Sequence, residues 1–438
     1  MMTNSTAPHI TPDAPASGPT LGPRFSPTLI LSALIGGMLA GLALAHFAPG
    51  RVESVTSLLD IVGALWLRAL QMTIVPLVVS LLISGIMASV AAARAGRLAS
   101  WSVAIFMAFL WAGTIMAALV TPWLLSLFPI PEAAASALAG QIAQSHEAIT
   151  VPPFAEFIKA MVPTNPIAAA ANDSILPLIL FTTAFAFAIT RLEPRRRDTL
   201  ADLFAAVGDA MLVIIGWVLA IAPIGVAALA FVIAARTGIG AIGVFLHYIL
   251  IVSAIGVIIW LLAYPVAIFG AGRRLLDFTR AAFPSQAVAL STQSSLASLP
   301  AMLRGTTALG VPVTTADVTL PLAVAIFRAT SPAMNLAVAI YVAHLTGVPL
   351  TPGTLMIGVA VAATTTLGSV SLPGSISFIS AIAPICLAMG VPIEPLALLV
   401  AVETLPDIIR TLGNVTMDVA VTATVDRIYG GPADEPAQ

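Results

Sequence analysis

The sequence predicts an all-α polytopic membrane protein, and three observations carry that prediction. Hydrophobic residues make up 59% of the chain and charged residues 9%, against about a quarter charged in an ordinary soluble domain. The mean hydropathy of +1.04 implies more apolar surface than a folded chain of 438 residues can hide from water, so lipid must cover it. Apolar runs long enough to cross a bilayer recur along nearly the whole chain.

The elements follow in order. Residues 1–25 are rich in Pro, Ser and Thr and lack a basic stretch before an apolar run. They read as a disordered cytoplasmic tail rather than a signal peptide. Residues 26–428 read as one membrane domain with no soluble insert, and 429–438 as a short C-terminal tail. Apolar stretches are expected at Ser26–Phe47, Ile61–Val90, Trp101–Phe128, Ile175–Arg191, Ala205–Ala235 and Ile242–Phe269, with a polar loop at Pro129–Pro153. Beyond Arg274 the pattern changes: Ala281–Leu303, Val318–Leu345, Leu355–Leu387 and Leu396–Val425 are interrupted by Pro, Gly and clustered Ser/Thr. Helix breaks at membrane depth survive only where protein or a water-filled cavity surrounds them, and paired broken segments point to a transporter's binding site. The runs 291–300 and 364–374 are small, hydroxyl-rich and contain Leu-Pro. Each reads as the tip of a re-entrant hairpin, the bland alternative being two kinked spans.

Of 18 basic residues, 17 are Arg, and nine of these cluster at Arg94/Arg97, Arg191/Arg195/Arg196/Arg197 and Arg273/Arg274/Arg280. The positive-inside rule puts these loops, and both termini, in the cytoplasm of a cell whose inner membrane holds the protein. Several function classes fall away. A net charge of −2 gives no field for nucleic acid. One cysteine, Cys386, excludes a disulfide framework. Five scattered histidines offer no metal-binding pair, and no His or Lys stands beside the clustered serines to activate a nucleophile. The chain is read as neither an enzyme nor a cofactor protein.

The last span carries the chemistry. Glu403, Asp407, Arg410, Thr411, Asn414 and Asp418 recur at helical spacing over roughly 22 Å of axis. Four ionised groups facing lipid would cost about 10 kcal/mol on insertion scales, so the stripe must face an interior. An arginine fork suits a carboxylate, an aspartate suits an ammonium, and Asn and Asp oxygens suit a monovalent cation or a proton. The competing reading is an internal ion-pair network, with Asp407 and Arg410 as an i,i+3 pair.

These residues resemble the dicarboxylate/amino acid:cation symporter family of glutamate and aspartate carriers. The similarity rests on Gln71–Val78, Pro163–Pro166, Trp217–Val226, Ser294–Pro300, Leu372–Gly374 and, above all, Asp407–Asp418 with its D-x-x-R-T-x-x-N-x-x-x-D run. The resemblance implies eight transmembrane helices plus two re-entrant hairpins, near 281–308 and 350–388. It further implies a homotrimer, a scaffold drawn mainly from 26–128 and 175–235, and a moving transport core mainly from 242–428. By position it implies substrate contacts from Ser294, Ser295, Ser331, Pro373, Gly374, Asp407, Arg410, Thr411 and Asn414. Asn414 and Asp418 would belong to a cation site.

One departure stands out. The family's seventh-span N-M-D-G-T motif falls on Phe327-Arg328-Ala329-Thr330-Ser331, and its third-span ligands on Phe106, Leu110 and Trp111. Arg328 is expected to replace a sodium ion, to tether helices at an interface, or to bind a substrate carboxylate. Glu403 is a candidate proton carrier, or else a partner for Arg304. The functional expectation is elevator-type secondary transport of glutamate, aspartate or a C4-dicarboxylate, coupled to sodium or protons. A substrate-gated anion channel and a transport-dead sensor on the same fold are the alternatives.

Overall fold

The computed structural model describes residues 27–94, 96–130, 162–172, 174–237, 240–368 and 375–429. The expected loop at Pro129–Pro153 lies almost wholly outside these residues, as do Pro373 and Gly374. All the regular structure among them is helical.

In chain order the helices are α1 (Pro27–Phe47), α2 (Val52–Gln71), α3 (Ile74–Arg94), α4 (Arg97–Leu127), α5 (Pro166–Ala171), α6 (Ile175–Ile189), α7 (Pro194–Ala220), α8 (Ala222–Thr237) and α9 (Gly240–Pro265). They continue with α10 (Leu275–Thr292), α11 (Ser295–Ala308), α12 (Val313–Leu322), α13 (Ser331–Thr346), α14 (Pro352–Thr365), α15 (Ser375–Ala388), α16 (Leu396–Leu399) and α17 (Thr404–Tyr429). Six helical stretches among the described residues are long and apolar enough to cross a membrane: Leu29–Phe47, Pro49–Arg94, Arg97–Leu127, Pro194–Ala220, Gly243–Gly270 and Val313–Thr346.

Two sequence expectations need correction. Ile61–Val90 is not one helix but parts of α2 and α3, which part at Met72–Thr73. The longer helical stretch they belong to, Pro49–Arg94, has 46 residues and would measure about 69 Å if straight, twice what one crossing needs. Likewise Ala205–Ala235 divides at Ile221 into α7 and α8. The halves go different ways: α8 packs against α1 and α2, whereas α7 packs against α3. Hydropathy alone does not reveal such joints, because apolar residues continue on both sides of each.

Local capping explains several helix starts. Asn165, in the Pro163–Pro166 motif, accepts bonds from Ile167 N and Ala168 N at 2.9 and 3.1 Å, and Pro166 takes the first helical position. Thr351 and Thr354 form a reciprocal capping box on α14. Ser294 caps α11 by accepting from Ala297 N at 3.2 Å.

The α10–α11 pair is a helical hairpin, turned at Gln293 in the left-handed conformation (φ 51°). Its arms approach closely at Gly305, where a Cβ would strike the carbonyl oxygen of Ala281. A second pair, α14 and α15, also packs arm against arm. Between α12 and α13 the chain winds into a π turn (Ala323–Phe327) and breaks at Arg328.

The last helix is the axis of the core. α9, α10, α11 and α4 all pack against α17, and α4 also packs against α13 and α14. Packing thus joins α4 to helices C-terminal to it, although its sequence position falls within 26–128. Every residue of α17 from Arg410 to Val425 is buried. The polar residues face an interior, as expected, and from Arg410 to Val425 the rest of the helix surface is interior too, while Leu405 and the last residues, Arg427 to Tyr429, are exposed. At one end of the bundle, Arg427 donates to Phe269 O at 3.1 Å, Arg273 lies 3.8 Å from Asp426, and Arg97 covers the Tyr429 ring.

Candidate functional site

The first turn of α17 begins beside a glutamate, not with one. Glu403 precedes the helix, and its carbonyl accepts from Asp407 N at 2.9 Å. Its side chain is 1% exposed and has two donors. Arg410 Nη2 lies 2.6 Å from Oε1, and the Tyr248 hydroxyl donates to Oε2 at 2.8 Å. Glu403 thus pairs with Arg410, seven residues on, rather than with Arg304. Arg410 is also 3.8 Å from Asp407 Oδ1, so the i,i+3 contact exists but is the looser of its two ion pairs. Arg410 Nε is buried and has no hydrogen-bond partner among the described residues.

One turn further, Thr411 Oγ1 donates to the carbonyl of Asp407 at 2.9 Å. Its only proton is spent, so the oxygen faces a ligand as an acceptor. Asn414 Oδ1 accepts from Thr330 N at 2.9 Å and lies 2.7 Å from Thr330 Oγ1. That fixes the amide orientation and leaves the Asn414 NH₂ group as the donor on offer. The Thr330 hydroxyl also lies 2.8 Å from the carbonyl of Arg410, and Gly413 gives its methyl room against α17. Asp418 is 1% exposed, and its Oδ1 has no hydrogen-bond partner among the described residues. Arg328, in the left-handed region at φ 31°, interacts electrostatically with Asp407, Asp418 and Arg410.

The structure brings most of the expected residues onto the same core. Asp407, Arg410, Thr411, Asn414 and Asp418 line α17; Ser331 opens α13, buried, next to Thr330. Ser294 and Ser295 sit half-buried at the turn of the α10–α11 hairpin, whose two arms pack on α17. Pro373 and Gly374 lie outside the described residues. The expected third-span positions divide: Phe106 and Leu110 are fully buried, and Trp111 is 40% exposed.

Sequence reasoning missed Thr330 and Tyr248. Thr330 stood inside the compared motif but was passed over for its neighbours. Tyr248 sits in an apolar run, and the one available signal was scarcity: the chain has 4 tyrosines. Gln286 was missed too; it donates to Thr416 Oγ1 at 3.0 Å and stitches α10 to α17.

Buried carboxylates, guanidiniums, an amide and hydroxyls at helix breaks inside an apolar bundle are the construction of a membrane transporter. The chain belongs to the sodium:dicarboxylate symporter family, whose sequence pattern matches residues 27–428. It is 27% identical over 398 residues to the proton/glutamate-aspartate symporter of Escherichia coli K12, covering 88% of this chain and 89% of that protein. It is 27% identical over 381 residues to the proton/sodium-glutamate symport protein of Bacillus subtilis 168, covering 84% and 86%. Its identity to the C4-dicarboxylate transport protein of Rhodospirillum rubrum is 26% over 431 residues, covering 96% and 92%.

Proposed function

We propose that this chain is a proton-coupled secondary transporter of an acidic amino acid or C4-dicarboxylate, working by alternating access in an inner membrane. The observation that carries the proposal is the Glu403–Arg410 pair. Arg410 is buried, presents an unpartnered Nε, and is held at 2.6 Å by a carboxylate of the protein itself. A substrate carboxylate has the same chemistry and competes for the same guanidinium. When it wins, Glu403 is left in the interior without its counterion. A buried, uncompensated carboxylate is too costly to persist, and a proton neutralises it. Substrate and proton are thereby coupled through one arginine.

The rest of the site fits an amino acid end. Asp407 and the Thr411 oxygen accept from an ammonium, and the Asn414 NH₂ and the Ser295 hydroxyl donate to the remaining carboxylate. A pure dicarboxylate leaves Asp407 facing a negative group, so the site favours glutamate or aspartate over succinate. The names of the Escherichia coli and Bacillus subtilis relatives both include glutamate and a proton, and that of the Bacillus subtilis relative includes sodium as well.

In this reading the α10–α11 and α14–α15 pairs are re-entrant hairpins that gate the site from the two sides. Together with eight spans they build the family architecture. α1, α2 and α8 form the scaffold and trimer contact, while α17 and the helices around it form the moving core. The cluster of Arg97, Arg273 and Arg427 at one end marks the cytoplasmic side with both termini. The test is uptake of radiolabelled aspartate, glutamate and succinate into proteoliposomes, with proton and sodium gradients imposed separately. An inward proton gradient is expected to drive aspartate or glutamate accumulation. Uptake no greater than in protein-free liposomes under every gradient would overturn the reading.

A further inference from the structure

The break between α12 and α13 places a second guanidinium beside the buried carboxylates of α17. We infer that Arg328 is a built-in cation: its tethered charge does, opposite Asp418, what a soluble monovalent cation would otherwise do, so acidic-substrate transport by this chain needs no sodium. This rests on the transport reading above.

Four observations carry it. First, the backbone is committed to presenting this side chain. The helix widens into a π turn over Ala323–Phe327 and then turns left-handed at Arg328, with φ 31° and ψ 62°. Among the described residues, only Arg328 and Gln293 have positive φ without being glycine. An L side chain keeps such a conformation only where its surroundings impose it, and such residues gather at functional sites.

Second, the break is pinned to α17. Two residues on, Thr330 N donates to Asn414 Oδ1 at 2.9 Å, and the Thr330 hydroxyl sits between that atom and the carbonyl of Arg410. Arg328 is therefore held over the stretch of α17 that carries Asp407 and Asp418.

Third, the charges require it. Asp418 is 1% exposed, and its Oδ1 has no hydrogen-bond partner among the described residues. Among the described residues Arg328 supplies the positive charge that acts on Asp418, and it also interacts with Asp407 and, repulsively, with Arg410. Fully ionised, Glu403, Asp407, Asp418, Arg410 and Arg328 sum to −1; without Arg328 they sum to −2. The proton that follows the substrate onto Glu403 brings these groups to 0 with Arg328 but only to −1 without it, a residual charge that a further cation from solution would have to offset.

Fourth, the surroundings suit a guanidinium better than a bare metal ion. Phe106 of α4 stacks on Phe327 with centroids 4.6 Å apart, Phe109 meets the same ring edge-on at 6.2 Å, and Leu110 and Ala329 are buried beside the break. On that side of the break a hard cation finds hydrocarbon, and oxygens to replace its water come only from the α17 side, where the Asp418 Oδ1 is without a hydrogen-bond partner among the described residues. A guanidinium is more weakly hydrated and loses less on burial.

The experiment compares full-length wild type, Arg328→Lys and Arg328→Ala in proteoliposomes, with uptake of labelled aspartate driven by a proton gradient in choline, sodium or guanidinium medium. Binding of ²²Na⁺ to the same purified proteins is measured in parallel. Wild type and Arg328→Lys are expected to take up aspartate equally, within twofold, in choline and sodium, and to bind no ²²Na⁺ above background. Arg328→Ala is expected to fall at least tenfold in choline, to recover at least fivefold with sodium or guanidinium, and to bind ²²Na⁺. Three results overturn the inference: sodium-dependent uptake or saturable ²²Na⁺ binding by wild type, undiminished choline uptake by Arg328→Ala, or loss in Arg328→Ala that no cation restores. If wild type carries no acidic substrate at all, the transport reading fails, and the ²²Na⁺ comparison of wild type with Arg328→Ala still decides the inference.

Discussion

Replacing Glu403 by glutamine should make the protein bind its substrate more tightly, against the usual expectation for a change in a binding site. The substitution keeps shape and removes one charge. The carboxylate sits 2.6 Å from Arg410 Nη2. At that distance two unit charges attract by about 6 kcal/mol at an effective dielectric of about 20. Desolvation of the pair offsets most of this. What a difference measurement sees for a charge-assisted bond is about 1.5–3 kcal/mol. In the proposed mechanism Glu403 competes with the substrate for Arg410, so removing that competition should tighten binding by about 10- to 100-fold at about 1.4 kcal/mol per decade. The assay is titration calorimetry of aspartate and glutamate into wild type and Glu403→Gln in lipid nanodiscs. The variant should also lose proton-driven accumulation while retaining exchange of internal for external substrate. An affinity within twofold of wild type, or a weaker one, would refute the idea that Glu403 occupies the substrate's place on Arg410.

Other substitutions test neighbouring links. Arg410→Ala strands Glu403 in the core and is expected to destabilise by about 3–5 kcal/mol; adding Glu403→Gln should recover a large part, read as melting temperature by scanning fluorimetry. Thr330→Val removes the hydroxyl that lies 2.7 Å from Asn414 Oδ1 and 2.8 Å from the Arg410 carbonyl, at about 1–2 kcal/mol. It should lower the melting temperature and weaken substrate binding together, because Asn414 loses one of its two anchors. Gly305→Val forces apart the two arms of the α10–α11 hairpin, since even a Cβ meets the carbonyl of Ala281. Uptake should fall at least tenfold with membrane insertion intact, and wild-type uptake would mean that the hairpin arms are free to separate.

Much of the site was legible because α17 concentrates its signal. Asp407, Arg410, Thr411 and Asn414 follow helical spacing in an apolar chain, and charge at membrane depth is too costly to be incidental. That same polarity keeps α17 out of the stretches apolar enough to pass as membrane spans on composition. What the sequence could not supply were relations between helices. Nothing in the run around Tyr248 says that its hydroxyl will reach Glu403, 155 residues away. Nor does the sequence say that Glu403 will choose Arg410 over Arg304. The fold was legible as apolar lengths and illegible at joints. Met72–Thr73 and Ile221 interrupt helices inside unbroken hydropathy, whereas Gln293 and Arg328 interrupt them where small and polar residues gather. Nor does any local pattern announce that α4 packs against α13, α14 and α17, with Phe106 stacked on Phe327.

In the proposed mechanism an acidic substrate displaces Glu403 from Arg410 and a proton follows. Titration calorimetry of aspartate binding, repeated in buffers of different ionisation enthalpy, counts the protons taken up with each substrate. About one proton per aspartate is expected in wild type near neutral pH, and none in Glu403→Gln. Substrate binding to wild type with no proton uptake, or with the same uptake in both proteins, would contradict it.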